Sequence, residues 1–324
     1  MKLLLKLTAL IVVTCLSHLG VVSAQTYPTK LVRIVVPQAP GGASDALARI
    51  IGQRLSERWH QPVVVENRAG AGGLIGTDAV AKSAPDGYTL LLAYDGTHAV
   101  NASLYKSLPF DPIKDFVPVA TLANVPFVLA VNAASPAKDM KQFVELAKAS
   151  PGKLTYGSAG NGSVNHLLGA MFGKGAGVQL VHVPYKGAAP AITDLLGGSV
   201  DAVFTSIPSV VSHIQGGRVR ALAVTSPKRS AALPNVPTIA ESGLAGFAVA
   251  PWFGLLAPAG TPADVVTRIN DDVAALMTTK EVIDAFAAQG AEPFRTTPAE
   301  FAALLRHDID KWAVVVRESG AKVD

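Results

Sequence analysis

Three glycine-rich turns contain the residues of this chain that are best suited to hold a small anion. They are residues 38–45 (QAPGGASD), 67–73 (NRAGAGG) and 157–163 (GSAGNGS), and a predicted strand gives way to a helix at each. A helix N-terminus presents backbone N–H groups without intrahelical partners and the positive end of the helix dipole. Glycine removes the side chain that would keep a ligand away from those donors. The turns therefore favour binding a small anion over converting it.

Sequence motifs of the common enzyme classes are missing. Residues 157–160 lack the spacing of a Gly-x-Ser-x-Gly nucleophile elbow, and neither a P-loop nor a His-Glu-x-x-His segment occurs. Residues 70–73 resemble part of a dinucleotide fingerprint, but the third glycine, Gly76, comes one residue late. We interpret residues 70–73 as a site of close helix–strand packing, with ligand-facing backbone as a minor addition. No catalytic residue, cofactor or metal site is predicted, and an exported α/β enzyme with an unrecognised site is the less favoured alternative.

The first 24 residues have the pattern of a secretory signal peptide. A basic start (Lys2 and Lys6) is followed by apolar residues 7–16 and by small residues 22–24. The apolar run is too short to cross a bilayer. We predict cleavage after Ala24 and export to the periplasm. A signal-anchor helix and a lipid attached at Cys15 are the disfavoured alternatives, because polar residues interrupt the apolar run and the lipoprotein box is poor.

Composition narrows the class of partner. Cys15 is the chain's one cysteine and lies in the predicted signal peptide, so the mature chain has no thiol for a disulfide, a nucleophile or a metal–sulfur site. The signal peptide carries two of the 28 basic residues, which leaves 26 against 24 acidic residues, a net charge of +2. Aromatic residues are only 6% and no lysine–arginine run occurs. We therefore predict an exported, soluble protein without a nucleic-acid partner.

Strands and helices alternate along the chain, and these elements must position the turns. The predicted strands are residues 31–36, 62–66, 88–93, 116–122, 125–131, 153–157, 179–183, 200–205 and 218–225, with an extended apolar segment at 247–257. The predicted helices are residues 43–59, 74–84, 138–149, 163–173, 187–197 and 207–215, followed by a helical tail. Near-continuous apolar strands between helices are typical of a parallel sheet that is covered on both faces.

The order of these elements predicts two α/β lobes with a ligand cleft between them. Lobe I would hold residues 25–124 plus 249–324, and lobe II residues 125–248. Segments near 125–131 and 247–257 would cross between the lobes and form the hinge. Ligands of open α/β sheets sit at the carboxyl ends of the strands, so the glycine turns of both lobes are expected to face one cleft.

Two Thr-Pro segments predict where helices of the tail begin. Thr261 and Thr297 each place a hydroxyl at the N-cap, a proline at N1 and an acid at N3. The second helix should turn one apolar face inward, formed by Phe301, Leu304, Leu305, Ile309 and Trp312.

The stretch from Tyr27 to Arg49, with RIVVPQAPGGASD at its centre, closely resembles the opening signature of the Bug (TctC-like) extracytoplasmic solute receptors of tripartite tricarboxylate transporters. Further matching motifs follow in order: residues 66–73, 86–90, 108–112, 156–163, 183–187 and 256–262. The ordered set covers essentially the whole mature chain and is specific, although no single motif is. The resemblance implies a type II periplasmic-binding-protein fold. It also implies a small carboxylate ligand, such as a di- or tricarboxylate, an acidic amino acid or an aromatic acid.

The resemblance also carries over candidate ligand-binding residues. In the family, the turn after the first strand and the turn that opens the 163–173 helix grip one carboxylate between the lobes. The corresponding residues here are Gln38, Ala39, Gly42, Ala43 and Ser44 in the first turn, and Ser158, Gly160, Asn161, Gly162 and Ser163 in the second. The family usually has an aromatic residue at the Gln38 position, and glutamine offers a donor and an acceptor instead of a ring face. Asp45 is expected to cap its helix and pair with Arg49, because its charge would repel a carboxylate.

Several other residues have two interpretations each. Thr97 follows a strand end and either lines the cleft or lies in a plain loop, and Tyr185 either faces the cleft or sits at an exposed turn tip. Lys186 beside it is interpreted as a surface charge, and His166 as either a packed core residue or a site residue. Asp201 either takes a ligand ammonium, as an acid of this lobe does in amino-acid-binding relatives, or caps its strand locally.

These observations predict a monomeric periplasmic binding protein that captures a small carboxylate and presents it to the integral-membrane subunits of a permease. Backbone donors of two helix N-termini, with serine and glutamine side chains, would neutralise the anion without a fixed cation. The alternative is a sensor partner that presents the same closed form to a signalling receptor.

Overall fold

A computed structural model describes residues 27–323, and the strands in this range form two separate sheets. The predicted signal peptide and its cleavage site lie outside the described residues. The strands are β1 (Val32–Val36), β2 (Val63–Asn67), β3 (Thr89–Tyr94), β4 (Phe116–Asn124), β5 (Phe127–Asn132), β6 (Thr155–Ser158), β7 (Val181–Pro184), β8 (Ala202–Ser206), β9 (Val219–Val224), β10 (Trp252–Pro258) and β11 (Glu292–Pro293). The first sheet has the strand order β11-β4-β10-β3-β1-β2, and the second has the order β7-β6-β8-β5-β9.

Helices connect most consecutive strands. They are α1 (Ala43–Trp59), α2 (Leu74–Ala81), α3 (Asn101–Leu104), α4 (Met140–Ala149), α5 (Val164–Ala176), α6 (Ala188–Gly197), α7 (Ile207–Gln215), α8 (Ala263–Leu276), α9 (Lys280–Ala288) and α10 (Pro298–Ser319). A short 3₁₀ turn (Ala71–Gly73) precedes α2, and a π-helical turn (Gly96–Val100) precedes α3. The sequence missed the π-helical turn, α3 and β11, which are too short to show a hydrophobic period.

Both sheets are mixed, so the prediction of a parallel sheet is wrong for two strands. The strand β1 pairs in parallel with β2 and β3, and β6 pairs in parallel with β7 and β8. In contrast, β10 runs antiparallel to β3 and β4, and β5 runs antiparallel to β8 and β9. The strands β5 and β10 are the first strands after the chain passes from one sheet to the other. Among the described residues, no helical crossover precedes either strand to bring the chain back to the edge of the sheet where the parallel strands begin. Each of the two strands is therefore antiparallel to its neighbours.

Alternate residues of the strands supply cores on both faces of each sheet. In β1, Ile34 packs into a cluster with Leu47 of α1, whereas its neighbour Val35 packs into a cluster with Phe301 of α10. In the second sheet, Leu129 and Val128 likewise belong to clusters on opposite faces. This period of two explains why the strands read as nearly continuous apolar runs.

The long helix α10 begins at the predicted cap and packs against the cores of both sheets. The Thr297 hydroxyl accepts a hydrogen bond from the Glu300 N–H at 3.2 Å, and the Glu300 carboxylate accepts one from the Thr297 N–H at 2.8 Å. The first turns of α10 bury Phe301 in a first-sheet core, whereas Trp312 and Val316 near its end join the core of the second sheet. The helix therefore connects the two halves of the molecule.

The cap predicted for α8 is wrong. The N-cap of α8 is Pro262, which has no side-chain donor or acceptor, rather than Thr261. The Thr261 hydroxyl donates instead to the Pro258 carbonyl at 2.8 Å. A threonine hydroxyl bonds whichever backbone group the local turn brings closest, and here that group belongs to the preceding strand.

Between residues 27 and 323, we find no helix whose length and apolar character would let it cross a membrane.

Candidate functional site

A cavity of about 840 Å³ lies where the carboxyl ends of strands from the two sheets meet. Residues that follow β1, β2 and β3 line it from the first sheet, and residues that follow β6, β7 and β8 line it from the second. The carboxyl ends of parallel strands are the expected ligand position in open α/β sheets. Its volume is in the range of small-molecule pockets.

The structure brings together the two glycine turns that the sequence singled out for ligand binding. Of the predicted residues, the cavity is lined by Gln38, Ala39, Gly42, Ala43, Ser44, Asn161, Gly162 and Ser163. The first five belong to the turn between β1 and α1, and the last three to the turn between β6 and α5. A ligand between these turns would contact both halves of the molecule.

Thr97 and Asp201 do not line the cavity. Thr97 is 2% exposed, and its hydroxyl donates to the Tyr94 carbonyl at 3.2 Å. Asp201 precedes β8, at the opposite end of that strand from the cavity, and its carboxylate accepts from the Thr155 N–H at 2.7 Å and from the Thr155 hydroxyl at 2.9 Å. The structure therefore favours the local capping interpretation of Asp201.

Ser158, Gly160 and Tyr185 also lie outside the cavity lining. The Ser158 hydroxyl accepts from the Gly160 N–H at 3.0 Å and lies 2.6 Å from Nε2 of His182. The Tyr185 hydroxyl donates to Asp194 at 2.6 Å. The polar groups of Ser158 and Tyr185 are thus bonded to other protein groups, and neither residue belongs to the cavity lining.

Four helices begin at the cavity: α1, α5, α6 and α7. Their first turns contribute Ala43, Ser163, Ala188 and Ser209 to the lining. The N–H groups of a first turn have no intrahelical partner, so all four helices direct donors and positive dipole ends toward this region. The sequence assigned only α1 and α5 to the site. The signal for α6 and α7 was their position directly after parallel strands, which is where a binding edge forms.

The charge of the lining comes from one lysine. Among residues 27–323, Lys186 is the one lysine, arginine, aspartate or glutamate that lines the cavity. The neighbouring Asp45 lies outside the lining and forms a two-pronged pair with Arg49, with N–O distances of 2.9 and 3.1 Å. Burial acts to raise the pKa of Asp45, but hydrogen bonds from Arg49 and from the Gly41 N–H outweigh it and lower that pKa below its usual value. The expected Asp45–Arg49 pair is confirmed.

One wall of the cavity is aromatic and apolar. Tyr94 and Phe253 stack with ring centroids 5.3 Å apart, and Leu104, Phe127 and Ile192 extend the wall. Burial, helped by the nearby Asp95 carboxyl, raises the pKa of Tyr94 to about 12, so its phenol stays protonated. The Gln38 side chain accepts from the Ser44 hydroxyl, and it lines the same cavity as Tyr94.

Glycine is required where the turns approach other backbone or side chains closely. Gly162 has φ of +73°, and a Cβ there would overlap Leu104 of α3. At Gly76 a Cβ would lie 2.8 Å from the Cα of Pro37. Close helix–strand packing was the role inferred for this region, and Gly70, Gly72 and Gly73 line the cavity as well.

A stacked pair of histidines supports the second turn. The rings of His166 and His182 are 3.8 Å apart at an interplanar angle of 8°. The Gly162 N–H donates to Nδ1 of His166 at 3.1 Å. Burial lowers the pKa of both histidines, and that of His182, which also faces His166, falls to about 4. Both rings are therefore neutral near pH 7 and act as packing and hydrogen-bonding groups.

A nucleophile pair or metal centre is not evident in the described part of the chain. Ser158 contacts His182, but it is 1% exposed and does not reach the cavity. No group of three or more His, Cys, Asp or Glu side chains in residues 27–323 could hold a metal ion.

Comparisons with known proteins agree with this architecture. The family model described as "Tripartite tricarboxylate transporter family receptor" (TctC) matches residues 47–321. The chain is 44% identical to protein BugT of Bordetella pertussis over 303 residues, which are 93% of each protein. A protein of R. palustris solved with adipate shares 38% identity with a TM-score of 0.85, over 92% of this chain and 100% of that one. MatC from Rhodopseudomonas palustris with bound malate shares 34% identity with a TM-score of 0.79, over 90% and 100%. The chain therefore belongs to the TctC family, the Bug-type periplasmic solute receptors of tripartite tricarboxylate transporters, and has their two-lobed α/β binding-protein fold.

Proposed function

We propose that this receptor captures a small carboxylate in the cavity between its two sheets. The observation that carries the proposal is the meeting of four helix N-termini at one cavity that no aspartate or glutamate of residues 27–323 lines. Such an environment favours an anion through oriented N–H donors and dipoles. Two proteins of similar fold were solved with adipate and with malate, which supports a carboxylate ligand of this size.

The first carboxylate group of the ligand would be held between the β1–α1 turn and the β6–α5 turn. Backbone N–H groups at Ala43 and Ser44 and the Asn161 side-chain amide belong to residues that line the cavity and would supply donors to such a group. The Ser163 hydroxyl already donates to the Gly160 carbonyl at 2.7 Å and accepts from the His166 N–H, so it holds the turn in shape. Several donors are needed because a carboxylate that leaves water loses its hydration and must recover it as hydrogen bonds. The glycines keep the approach to these donors open.

Binding would favour closure of the two lobes. We propose that the lobes correspond to residues 25–124 plus 249–324 and to residues 125–248, as the sequence predicts. A ligand that contacts turns of both lobes binds the closed arrangement more tightly than the open one and so shifts the population toward it.

We further propose that the mature, monomeric chain, residues 25–324, acts in the periplasm and transfers its ligand to integral-membrane permease subunits. Release would then require the permease to stabilise the open arrangement. No covalent step is part of this cycle, and bound acids are expected to be released unchanged.

A thermal-shift and calorimetric screen of residues 25–324 tests the proposal. The protein is unfolded and refolded first to remove bound ligand. It is then titrated with dicarboxylates, tricarboxylates, acidic amino acids and aromatic acids, with neutral sugars and amides as controls. A ligand at about 100 times its Kd adds about 2.7 kcal/mol to the free energy of unfolding. Stabilisation by at least one acid class and by no neutral compound is expected; stabilisation by none of the acids would overturn the proposal.

An Asn161→Ala variant connects the binding to the proposed site. The Asn161 side chain is exposed and lines the cavity, so its loss should leave the fold intact. Removal of one donor to a charged group is expected to weaken binding about tenfold. Asn235→Ala, which removes an exposed amide outside the cavity lining, is the matched control and should bind as the unaltered chain does.

A further inference from the structure

We propose that Lys186 makes this receptor prefer dicarboxylates to monocarboxylates, and that the lack of an acid in the cavity lining within residues 27–323 disfavours ligands with an amino group. The proposal rests on the proposed function, carboxylate capture in the same cavity, and adds the class of ligand and the residue that selects it. The sequence alone indicates that Lys186 is a surface charge and that the anion is neutralised without a fixed cation.

Lys186 lies between β7 and α6 and contributes to the lining of the cavity. No carboxylate of residues 27–323 lies within 4.0 Å of its ammonium group, whereas thirteen ion pairs occur elsewhere in this range. The ammonium group is therefore available to a ligand.

The surroundings of Lys186 suit a second carboxylate. The next residue, Gly187, is the N-cap of α6 with φ of +126°, and a Cβ placed there would meet no atom within 4 Å. Ser206 and Ser209 at the start of α7 line the same side of the cavity, and their hydroxyls lie 2.8 Å apart. Two helix N-termini, one ammonium group and the one hydroxyl proton that the Ser206–Ser209 hydrogen bond leaves free thus form a second anion-favouring region, built from residues that follow strands of the second sheet. A ligand with a carboxylate at each end would use both regions.

An ammonium group on the ligand would find no counter-charge in this cavity. The acid closest to the first turn, Asp45, is already paired with Arg49. Asp194 accepts the Tyr185 hydroxyl, and Asp201, the acid considered for this role, caps Thr155 at the far end of β8. A cation placed among helix N-termini without a carboxylate partner loses hydration and gains only repulsion. The cavity should therefore discriminate against acidic amino acids.

The test compares matched ligands that differ in one group. Succinate and aspartate, and likewise glutarate and glutamate, differ by the ammonium group; succinate and butyrate, and glutarate and valerate, differ by one carboxylate. Calorimetric Kd values are measured at low and at moderate salt. The dicarboxylates are expected to bind at least about tenfold more tightly than either partner. The advantage over the monocarboxylates should shrink as salt rises, because part of it comes from an exposed charge.

Substitutions at Lys186 assign the preference to this residue. Lys186→Gln is expected to remove most of the advantage of succinate over butyrate while leaving butyrate binding almost unchanged. Lys186→Arg should retain it. Lys153→Gln is the control, because Lys153 is an exposed lysine outside the lining, at the other end of β6.

The outcomes separate this inference from the proposed function. If no acid binds, carboxylate capture itself fails. If acids bind but Lys186→Gln keeps the full preference for dicarboxylates, the role of Lys186 is overturned while carboxylate capture stands. If glutamate binds as tightly as glutarate, the discrimination against an amino group is overturned while carboxylate capture stands.

Discussion

At the scale of single residues, Gly162 shows how tightly the second turn is built. Its φ of +73° lies in the left-handed region, and a Cβ would overlap Leu104 from the other half of the molecule. Because the turn touches α3 at this point, the shape of the turn and the contact between the two halves depend on the same residue.

Gly162→Ala is therefore expected to destabilise the protein by about 2 kcal/mol or more, because it combines backbone strain with a steric clash. Carboxylate affinity should fall as well. The free energy of unfolding is measured in urea for this variant and for Gly198→Ala. Gly198 has φ of +76° but open space around a Cβ, so this control reports the cost of strain alone. Equal losses in the two variants would show that the contact with Leu104 contributes nothing.

The stacked histidines predict a loss of stability in acid. Burial, and then the charge of His166, lowers the pKa of His182 from 6.5 to about 4. The unfolded chain therefore binds more protons than the folded one between these two pH values. The contribution of this histidine to the free energy of unfolding therefore has its full value above about pH 6.5, and it decreases as the pH drops toward 4. Buried His98, with a pKa also near 4, adds to the same loss.

His182→Gln should flatten this acid-side slope, and His307→Gln should not, because His307 is exposed on α10. Urea unfolding at intervals from pH 7.5 to pH 4.5 measures the slope. An unchanged slope in His182→Gln would contradict the assignment.

At the scale of elements, the turn that follows β3 and the helix α10 each bury one carboxyl group. Asp95 is 1% exposed and Asp308 is 5% exposed, and the charge of Asp308 acts on Asp95. Two buried carboxyl groups that lie near each other repel when both are ionised, which favours a proton on one of them. Burial, followed by the negative charge of Asp308, raises the pKa of Asp95 well above its usual value, and Lys311 opposes this only in part.

This pair predicts a pH dependence of the opposite sign. Above about pH 4, the unfolded chain loses the Asp95 proton while the folded state keeps it. The contribution of Asp95 to the free energy of unfolding is therefore full below about pH 4, and it decreases as the pH rises toward the raised pKa. Asp95→Asn cannot ionise, so its stability relative to the unaltered chain should be higher at pH 8 than at pH 5. Asp271→Asn changes an exposed acid and is the control. A constant difference between Asp95→Asn and the unaltered chain across this range would refute the raised pKa of Asp95.

The helix α10 also shows what pattern alone can predict about an element. Its start at Thr297–Glu300 and its inward residues Phe301 and Trp312 were predicted from local spacing, and both are confirmed. The sequence did not reveal that Phe301 and Trp312 enter the cores of different sheets. Helical periodicity identifies the buried face of a helix but not the partner that buries it.

At the scale of the whole molecule, the cavity lies between two halves, and the closure we propose on ligand binding would move these halves relative to each other. The lining residues come from both sheets, whereas α10 and the Leu104–Gly162 contact hold the halves together at their margin. An opening motion would therefore keep α10 as a common support and separate the glycine turns.

Small-angle scattering of residues 25–324 should detect this motion. Addition of a saturating dicarboxylate to the refolded protein is expected to decrease the radius of gyration, because a ligand that bridges both turns favours the closed arrangement. Asn161→Ala should require more ligand for the same decrease. An identical scattering profile with and without bound ligand would show that the receptor binds without closing.

The sequence by itself determined the local structure and the family. Alternating strands and helices, glycine at the turns and the Thr297 cap depend on hydrogen bonds between residues close in the chain, so spacing was sufficient to predict them. The ordered motifs were likewise sufficient to identify the TctC receptors and to nominate the turns after β1 and β6.

Only the tertiary structure decided which chain segments face the cavity. It added Lys186 and the first turns of α6 and α7 to the lining, and it placed Asp201 at the end of β8 away from the cavity. It also reversed β5 and β10 relative to their neighbours, which the hydrophobic pattern could not reveal because a buried strand reads the same in either direction. The physical reason is the same in each case. Strand order and strand direction bring together groups that are far apart in the sequence, and the local spacing of residues does not specify either of them.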